Sequence, residues 1–343
     1  MTTPSLPLNP NNRIPLLKNF THLHTDHDQS TSLPVKQTKT HPSNPSTDGS
    51  SSNKASIYFI GTATTLLSYS SIRILTDPNF LHAGDHVHLG PGVTSTRKTN
   101  PAVDLDALPP LDLILLSHYH EDHFDRKVED SLNRQFPIVT TPHAKKCLTS
   151  DTKQEPFRNI HDLDFFQSLE LPVTGDEQHS AVKVTAMPGK HIPPGPLAVA
   201  NDLLGAVPPT NGWLVELGNK KEGGDFETGY RIYISGDTLM VPELKQIPEY
   251  LDGEKIDLML VHLGGTTIPG PHMPLLMVTM DGKQGVELMK LVDPDVTVPI
   301  HYDDYDVMLS GLDDFKKEVE KAGLAGRVVY LDRGDRYAFD VRG

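Results

Sequence analysis

Leu-Leu-Ser-His-Tyr-His-Glu-Asp-His, the stretch at residues 115–123, places three histidines and an aspartate within six residues. It overlaps a short apolar run at residues 111–116 that is preceded by two prolines and predicts a buried strand. The histidines therefore lie where this strand ends. In open α/β sheets, ligands bind at that end of the strands. The stretch predicts a ligand site at a sheet edge.

The spacing of the polar side chains in this stretch favours metal binding. Alternate residues of an extended chain face the same side, so His118, His120 and Asp122 are expected to converge. His123 then turns toward a neighbouring position. The spacing predicts two adjacent metal sites. A solvated loop of exposed histidines is the alternative, and the strand that precedes His118 argues against it.

The pattern His-x-His-x-Asp-His resembles the metal-binding motif of the metallo-β-lactamase superfamily. Motifs similar to others of that superfamily occur in order along the chain. Two lie before this pattern, at residues 57–64 and 72–78, and three lie after it, at residues 187–191, 234–238 and 298–301. The resemblance extends over residues 55–340. It implies the α/β fold of that superfamily, a four-layer αβ/βα sandwich with metals between two sheet edges.

Within the superfamily, the chain most resembles the branch that holds L-ascorbate-6-phosphate lactonase and N-acyl-phosphatidylethanolamine phospholipase D. Residues 75–78 (Leu-Thr-Asp-Pro) and the pair Gly212-Trp213 carry this resemblance. The chain departs from the branch at Met280 and Asp281, where the branch usually has a histidine before the helix. That departure weakens any inference about the substrate.

The resemblance also implies a role for each candidate ligand. One metal would be bound by His118, His120 and His191. A second metal would be bound by Asp122, His123 and His301, with Asp237 bridging the two. Asp77 is expected behind the ligands, fixing the tautomer of one imidazole by accepting its other N–H. Imidazole and carboxylate ligands without thiolate favour zinc, and manganese or iron would also fit.

This ligand set predicts a hydrolase with two divalent metal ions. Cations about 3.5 to 4 Å apart hold a bridging hydroxide whose pKa is lowered to roughly 7, which provides a nucleophile at neutral pH. Asp122 is the candidate catalytic residue, because it can also orient that hydroxide. The alternatives are a phosphodiesterase of the phospholipase D type and a noncatalytic metal-binding interaction protein.

Three further residues are candidates for contact with a small-molecule substrate. His262 and His272 are predicted in the loop after a strand at residues 258–261, and Tyr119 lies between the first two histidines. A second stretch, at residues 21–28, satisfies the same histidine pattern. No predicted strand precedes it, so we expect it to bind no metal.

Long connections beside the motifs predict the walls of the substrate pocket. They are residues 79–106, 188–211 and 263–280. The middle connection is rich in apolar residues, which either line the pocket or pack against the sandwich. No cluster of basic residues lies near the motifs beyond Lys190, Arg97 and Lys98. This favours a neutral ester, lactone or amide over a phosphorylated substrate.

Composition limits the class of protein. The 343 residues are 37 % hydrophobic and carry a net charge of -14, which argues against nucleic acid as a partner and against a ribonuclease. Residues 1–53 are rich in Ser, Thr, Pro and Asn, and are expected to be an extension of a hydrolase domain at residues 54–343. No transmembrane segment is evident, so a cytoplasmic location is expected. The oligomeric state stays open.

Patterns outside the motifs predict the remaining elements. Helices are expected at residues 124–134, at 282–291 after a capping Asp281, and at 312–322. The chain is expected to end in a hairpin-like pair of strands at residues 327–331 and 336–341.

Overall fold

The computed structural model describes residues 3–18, 32–44, 54–90, 92–193, 195–196, 198–199, 201, 207–221, 224–270 and 273–342. The strands are β1 (Thr38–Lys39), β2 (Lys54–Gly61), β3 (Thr64–Tyr69), β4 (Ile72–Thr76), β5 (His86–Gly90), β6 (Val93–Thr96), β7 (Leu113–Leu115), β8 (Ile138–Thr140), β9 (Ile160–Asp162), β10 (Ser168–Pro172), β11 (Ser180–Met187), β12 (Gly212–Lys220), β13 (Phe226–Ile234), β14 (Leu258–His262), β15 (Gly264–Gly270), β16 (Met273–Met277), β17 (Val296–Ile300), β18 (Met308–Ser310) and β19 (Arg336–Asp340). The α-helices are α1 (Arg126–Ser131), α2 (Pro142–Leu148), α3 (Gln246–Leu251), α4 (Gly282–Val292) and α5 (Leu312–Lys321).

Two large mixed sheets form the centre of the fold. Among the described residues, the larger sheet has eight strands in the order β1-β19-β2-β3-β4-β7-β8-β9. The smaller sheet has six strands in the order β10-β11-β12-β13-β14-β17. A three-stranded sheet, β16-β15-β18, and the hairpin β5-β6 complete the described strands.

The buried side chains divide into layers that match a four-layer sandwich. The largest cluster joins residues of both sheets, such as Phe59 and Leu113 of the larger sheet and Val215 and Ile232 of the smaller one. A second cluster packs α3, α4 and α5 against the other face of the smaller sheet. A third packs α1 and α2 against the other face of the larger sheet. The predicted αβ/βα sandwich is confirmed.

The predicted helices form, with corrected limits at one of them. The helix expected at residues 124–134 covers only Arg126–Ser131, because Asp125 caps its N-terminus by accepting the Val128 amide and Leu132 is already extended. Asp281 caps α4 as expected, accepting the amide of Gln284. Helix α5 begins at Leu312. None of the helices that the structure describes is both long and apolar enough to cross a membrane.

The predicted C-terminal hairpin is wrong. Strand β19 pairs with β2 on one side and with β1 on the other, not with residues 327–331. Those residues instead approach the smaller sheet, where the Val329 amide donates to the Thr297 carbonyl at 2.9 Å. The turn at Asp332 therefore carries the chain from one sheet to the other. A tight turn between two apolar segments does not reveal which sheet each segment joins.

Described parts of the N-terminal 53 residues lie against the sandwich. The amides of Leu6 and Leu8 donate to the carbonyls of Glu170 and Pro172, beside β10, at 2.8 and 2.9 Å. Leu8 is buried in the core between the sheets, and β1 adds a parallel strand beside β19. Both described N-terminal segments therefore contact the sandwich. The division between an extension and a hydrolase domain at residue 53 stays a prediction.

Arg13 neutralises a buried carboxylate of the sandwich. Its guanidinium meets both oxygens of Asp112, with Nε 2.9 Å from Oδ1 and Nη2 3.1 Å from Oδ2. The Asp112 side chain is only 2 % exposed. It also accepts the Arg73 amide at 2.8 Å. Loss of Arg13 would leave a buried carboxylate without its closest counter-charge.

Replacing Arg13 by alanine is expected to lower the free energy of unfolding by about 1 to 3 kcal/mol, the usual cost of leaving a buried polar group unpaired. Urea denaturation of the full-length protein measures this change. Lys18→Ala is the control, because Lys18 pairs with an exposed Glu155 and should change stability by less than about 0.5 kcal/mol. Equal stability of the Arg13 variant and the wild-type protein would show that the ion pair between Arg13 and Asp112 does not stabilise the fold.

Candidate metal centre

Each of the seven predicted ligands follows the end of a strand. The histidine stretch follows β7 of the larger sheet, and His191 follows β11 of the smaller sheet. Asp237 follows β13 and His301 follows β17. Strands β13, β14 and β17 run parallel, so their carboxyl ends meet at one edge. The two sheets thus bring residues from distant parts of the sequence to a common site.

The seven side chains converge into overlapping groups whose candidate ligand atoms lie within 4.8 Å of one another. The groups are Asp122, His123, Asp237 and His301; His118, His191 and Asp237; and His118, His120 and Asp122. Asp237 lies between two of these groups, and its Oδ2 is 3.1 Å from Nε2 of His123. Asp122 also belongs to two of these groups, and its Oδ1 is 2.9 Å from Nδ1 of His120.

Unpartnered polar atoms mark the centre of this cluster. Within the described residues, eight buried ligand-type atoms of the site make no well-aligned hydrogen bond, although buried polar atoms in proteins nearly always make one. They are Nε2 of His118, His120, His123, His191, His262 and His301, and Oδ1 of Asp122 and Asp237. Ring nitrogens and carboxylate oxygens directed at shared points are the donor set that divalent transition metals take. The residues therefore fit a metal centre.

The opposite ring nitrogens are held by neighbours, as is usual for metal-binding histidines. Nδ1 of His191 lies 3.1 Å from the Val278 carbonyl, and Nδ1 of His301 lies 3.1 Å from the Leu263 carbonyl. Nδ1 of His118 lies 2.9 Å from Oγ of Ser117. These contacts fix the rings with Nε2 directed into the cluster.

Asp77 occupies the place that the sequence predicts, behind a candidate ligand. Its Oδ2 lies 3.1 Å from Nδ1 of His123, and its Oδ1 accepts the Ser117 amide at 2.6 Å. Asp77 and His301 both have left-handed backbone conformations, with φ of 36° and 59°. Such strain in non-glycine residues is concentrated at functional sites. The carboxylate therefore orients the His123 ring from a rigid position.

The buried histidines differ in their affinity for a proton. Burial lowers the pKa of His118 well below its ordinary value and lowers that of His191 to about 4, so both rings are neutral at pH 7. Burial acts in the same direction on His123, but Asp237 and Asp122 outweigh it and raise its pKa well above the ordinary value. The two carboxylates thus favour a positive charge at this position, and a metal cation would also supply one.

The two central carboxylates are held in the ionised form. Burial alone would raise the pKa of Asp122, but His120 and His123 outweigh it and lower that pKa well below the ordinary range. The pKa of Asp237 is lowered in the same way, because His123 and His301 outweigh the effect of burial. The ionised form is the one in which a carboxylate binds a metal ion.

The expectation that His262 lies in a loop is wrong, and its contact with substrate stays a prediction. His262 is the last residue of β14 and is completely buried, with its ring stacked against His123 at 5.9 Å. Its Nε2 is 3.8 Å from Oδ2 of Asp77, and its Nδ1 is 3.4 Å from Oγ of Ser235. One additional strand residue moves this histidine from the predicted loop into the interior, where it supports Asp77.

The hydroxyl of Tyr119 is held by two charged neighbours. Its hydroxyl donates to Glu129 at 2.7 Å and lies 3.1 Å from Nζ of Lys153. Burial, together with Glu129, raises its pKa to about 12. The hydroxyl is thus already paired, and the expected substrate contact of Tyr119 stays a prediction. His272 and the histidines of residues 21–28 lie outside the described residues.

A buried arginine that sequence patterns do not single out supports the Asp122 loop. The Arg97 side chain is fully buried, and its Nη1 donates to Oδ1 of Asn79 at 3.0 Å. Nδ2 of Asn79 donates in turn to the Asp122 carbonyl at 2.9 Å and to the Tyr305 hydroxyl at 2.7 Å. Arg97 thus fixes the backbone of a candidate ligand through Asn79.

Asp304 extends this support to the other half of the site. Its Oδ1 lies 3.8 Å from Nη2 of Arg97, and its Oδ2 accepts the Thr62 amide at 3.0 Å. The Thr62 carbonyl accepts the His301 amide at 2.8 Å. Arg333 also contacts Asp304. A buried ion pair therefore connects the loops that carry Asp122 and His301.

A small pocket of about 10 Å³ opens beside the ligands. Its walls include four candidate ligands, His120, Asp122, His191 and Asp237. The other described lining residues are Leu89, Val207, Thr266, Ile268, Val278 and Thr279. They come from the three long connections that the sequence predicts to form the pocket walls. Lys190 does not line this pocket and pairs with Glu243.

A family model described as beta-lactamase superfamily domain matches residues 72–302, which include all seven candidate ligands. The chain belongs to the beta-lactamase superfamily. A UPF0173 metal-dependent hydrolase from Archaeoglobus fulgidus is 24 % identical to it over 229 residues, which cover 67 % of this chain and 82 % of the relative. The relatives that match this superfamily member are named metal-dependent hydrolases.

Solved structures show the same fold. An isothiocyanate hydrolase from Delia radicum gut bacteria superposes with a TM-score of 0.63 at 18 % identity, covering 83 % of this chain and 100 % of that one. A structure described as a possible metal-dependent hydrolase from Veillonella parvula gives a TM-score of 0.64 at 16 % identity, covering 82 % and 98 %. At these identities, the likeness establishes the sandwich architecture alone.

Proposed function

We propose that this superfamily member is a hydrolase that binds two divalent metal ions and acts on a small uncharged ester, lactone or amide. The convergence of unpartnered ring nitrogens and carboxylate oxygens on one buried cluster carries this proposal. Histidine and carboxylate ligands favour zinc, with manganese or iron as alternatives. The name shared by the curated relatives, metal-dependent hydrolase, supports the same class of reaction.

In this proposal, the seven residues divide as the superfamily motifs imply. His118, His120 and His191 hold one metal, Asp122, His123 and His301 hold the other, and Asp237 contacts both. Two cations held there would supply an activated water at neutral pH and would polarise the scissile oxygen. Two of the groups support this division, namely Asp122, His123, Asp237 and His301, and His118, His191 and Asp237.

Asp122 is the proposed catalytic residue within this set. Its Oδ1 has no hydrogen-bond partner among the described residues, and the side chain lines the pocket. This oxygen can accept a proton from the attacking water and orient it toward the substrate. Nδ1 of His120 lies 2.9 Å from Oδ1 without alignment for a hydrogen bond, and His120 and His123 keep the carboxylate ionised.

The composition of the pocket favours an uncharged substrate. Four of its described lining residues are apolar, and no lysine or arginine is among the lining residues that the structure describes. Arginine and lysine are common partners of phosphate groups in proteins. A phosphodiester substrate of the phospholipase D type is therefore the less favoured alternative.

Turnover of a small panel tests this function. Full-length protein is stripped with a chelator, reloaded with zinc, manganese or iron, and assayed with p-nitrophenyl acetate, γ-butyrolactone, acetanilide and bis(p-nitrophenyl) phosphate. We expect metal-dependent hydrolysis of at least one of the first three compounds and little of the diester. Hydrolysis of the diester alone would support the phosphodiesterase, and a fully loaded protein without turnover would support the noncatalytic alternative.

Asp237 and Asp77 are expected to differ in their contribution to activity. Asp237→Asn should remove detectable turnover, because the proposed bridging ligand contacts both cations. Asp77→Asn should reduce activity or metal affinity by only about 10 to 100-fold, because Asp77 orients His123 and binds no metal itself. Steady-state kinetics and metal titration of both variants check this order. A fully active Asp237→Asn protein would contradict a binuclear site.

A further inference from the structure

One hydroxyl in the pocket wall has no hydrogen-bond partner. Thr266 is 4 % exposed and lines the pocket, and its Oγ1 is buried without a partner among the described residues. Buried hydroxyls in proteins are nearly always paired. The proposed metal ligands do not account for this atom, since Thr266 belongs to none of the groups of candidate ligands. The unpaired hydroxyl lies in the pocket wall, where it is available to a bound molecule.

The backbone holds Thr266 firmly in the wall. Its amide donates to Oγ1 of Thr279 at 2.8 Å, and its strand pairs with Met308 of β18. Gly264 and Gly265 precede it with positive φ of 108° and 55°. A Cβ on Gly265 would come within 2.7 Å of Ser310, so the strand lies too close to β18 for a larger residue there. The hydroxyl is thus presented from a rigid strand.

The surroundings of Thr266 define the chemistry that it would recognise. Leu89, Ile268 and Val278 line the same pocket, and the carboxylates of Asp122 and Asp237 lie among the candidate metal ligands. Those carboxylates are hydrogen-bond acceptors only, whereas a threonine hydroxyl can donate. A hydroxyl donor among apolar walls favours an uncharged molecule with one acceptor oxygen or nitrogen.

We propose that Thr266 is a substrate-binding residue whose hydroxyl donates a hydrogen bond to an acceptor atom of a small uncharged substrate. This inference rests on the proposed function and deepens it, because it names the wall residue that selects the substrate. Thr266 then fixes the orientation of the substrate above the metal ligands, while Leu89, Ile268 and Val278 exclude charged groups.

The neighbouring threonine provides a matched control. Thr267 is also buried, and its Oγ1 also lacks a partner among the described residues, but it does not line the pocket. Thr266→Val and Thr267→Val each remove one threonine hydroxyl, and the two positions are adjacent on one strand. Thr266→Ser restores a hydroxyl at the proposed position with the loss of one methyl group.

Two measurements on the full-length protein test the proposal. In the first, cobalt-substituted protein is titrated with δ-valerolactam, an uncharged cyclic amide, and binding is followed by visible absorption. Thr266→Val is expected to weaken binding about tenfold, whereas Thr266→Ser and Thr267→Val should bind as the wild-type protein does. In the second, the same order is expected in kcat/KM for γ-butyrolactone, with equal metal content in all variants.

Unchanged binding by Thr266→Val, or equal weakening by Thr267→Val, would overturn the role of Thr266. Failure of the proposed function has a different signature, because δ-valerolactam would then bind with the expected order while no compound of the panel is hydrolysed.

Discussion

Replacing His118 and His120 together by alanine is expected to remove at least one metal ion and all detectable hydrolysis. Both rings direct an unpartnered Nε2 into the buried cluster, and His120 also contacts Asp122. Each ligand removed weakens a site whose binding free energy depends on a complete set. Metal content by elemental analysis and turnover of the best panel compound measure the two effects.

The second histidine stretch supplies the control for this experiment. His22 and His24 follow the same local pattern as His118 and His120, but no strand is predicted before them. Replacing both by alanine should leave metal content and turnover unchanged. Equal loss of metal from the two double variants would mean that the local pattern, and not the strand before it, determines binding.

A large loss of stability is expected from Asp304→Asn. Asp304 is completely buried and is the counter-charge for Arg97, whose side chain is also fully buried. Removing one partner of a buried ion pair leaves the other charge uncompensated, which costs about 3 to 5 kcal/mol. The contact of Asp304 with Arg333 disappears in the same variant. Urea denaturation should show a decrease of this size in the free energy of unfolding.

The adjacent residue is the control for Asp304. Asp303 is exposed, and an asparagine there can still accept the Leu312 amide that Oδ2 of Asp303 now accepts. Asp303→Asn is expected to change stability by less than about 0.5 kcal/mol. A variant of Asp304 as stable as that of Asp303 would show that the Arg97 network does not hold the two loops together.

The resemblance to the superfamily implies the fold and the ligand set, and local patterns predict that each ligand follows a strand. Apolar strands are short and lead directly into polar motifs, so the residue after each strand can be read without knowledge of the tertiary structure. His191, Asp237 and His301 are predicted in this way. The order of motifs along the chain then indicates which strand ends meet.

The support behind the ligands depends on contacts that local patterns do not contain. Asp304 lies 207 positions after Arg97 in the sequence, and neither residue belongs to a recognisable motif. Thr266 is one of many threonines, and only its unpartnered hydroxyl in a pocket distinguishes it. His262 was misplaced for a smaller reason, since β14 extends one residue further than its apolar pattern predicts.

The number of metal ions bound per chain tests the central claim most directly. Full-length protein, stripped of metal and then dialysed against a small excess of zinc, is analysed for metal and protein in the same sample. The proposed ligand set predicts two zinc ions per chain in the wild-type protein and fewer in the variant that lacks His118 and His120. A wild-type protein that retains no zinc, or a single ion that the double variant also retains, would contradict the binuclear centre.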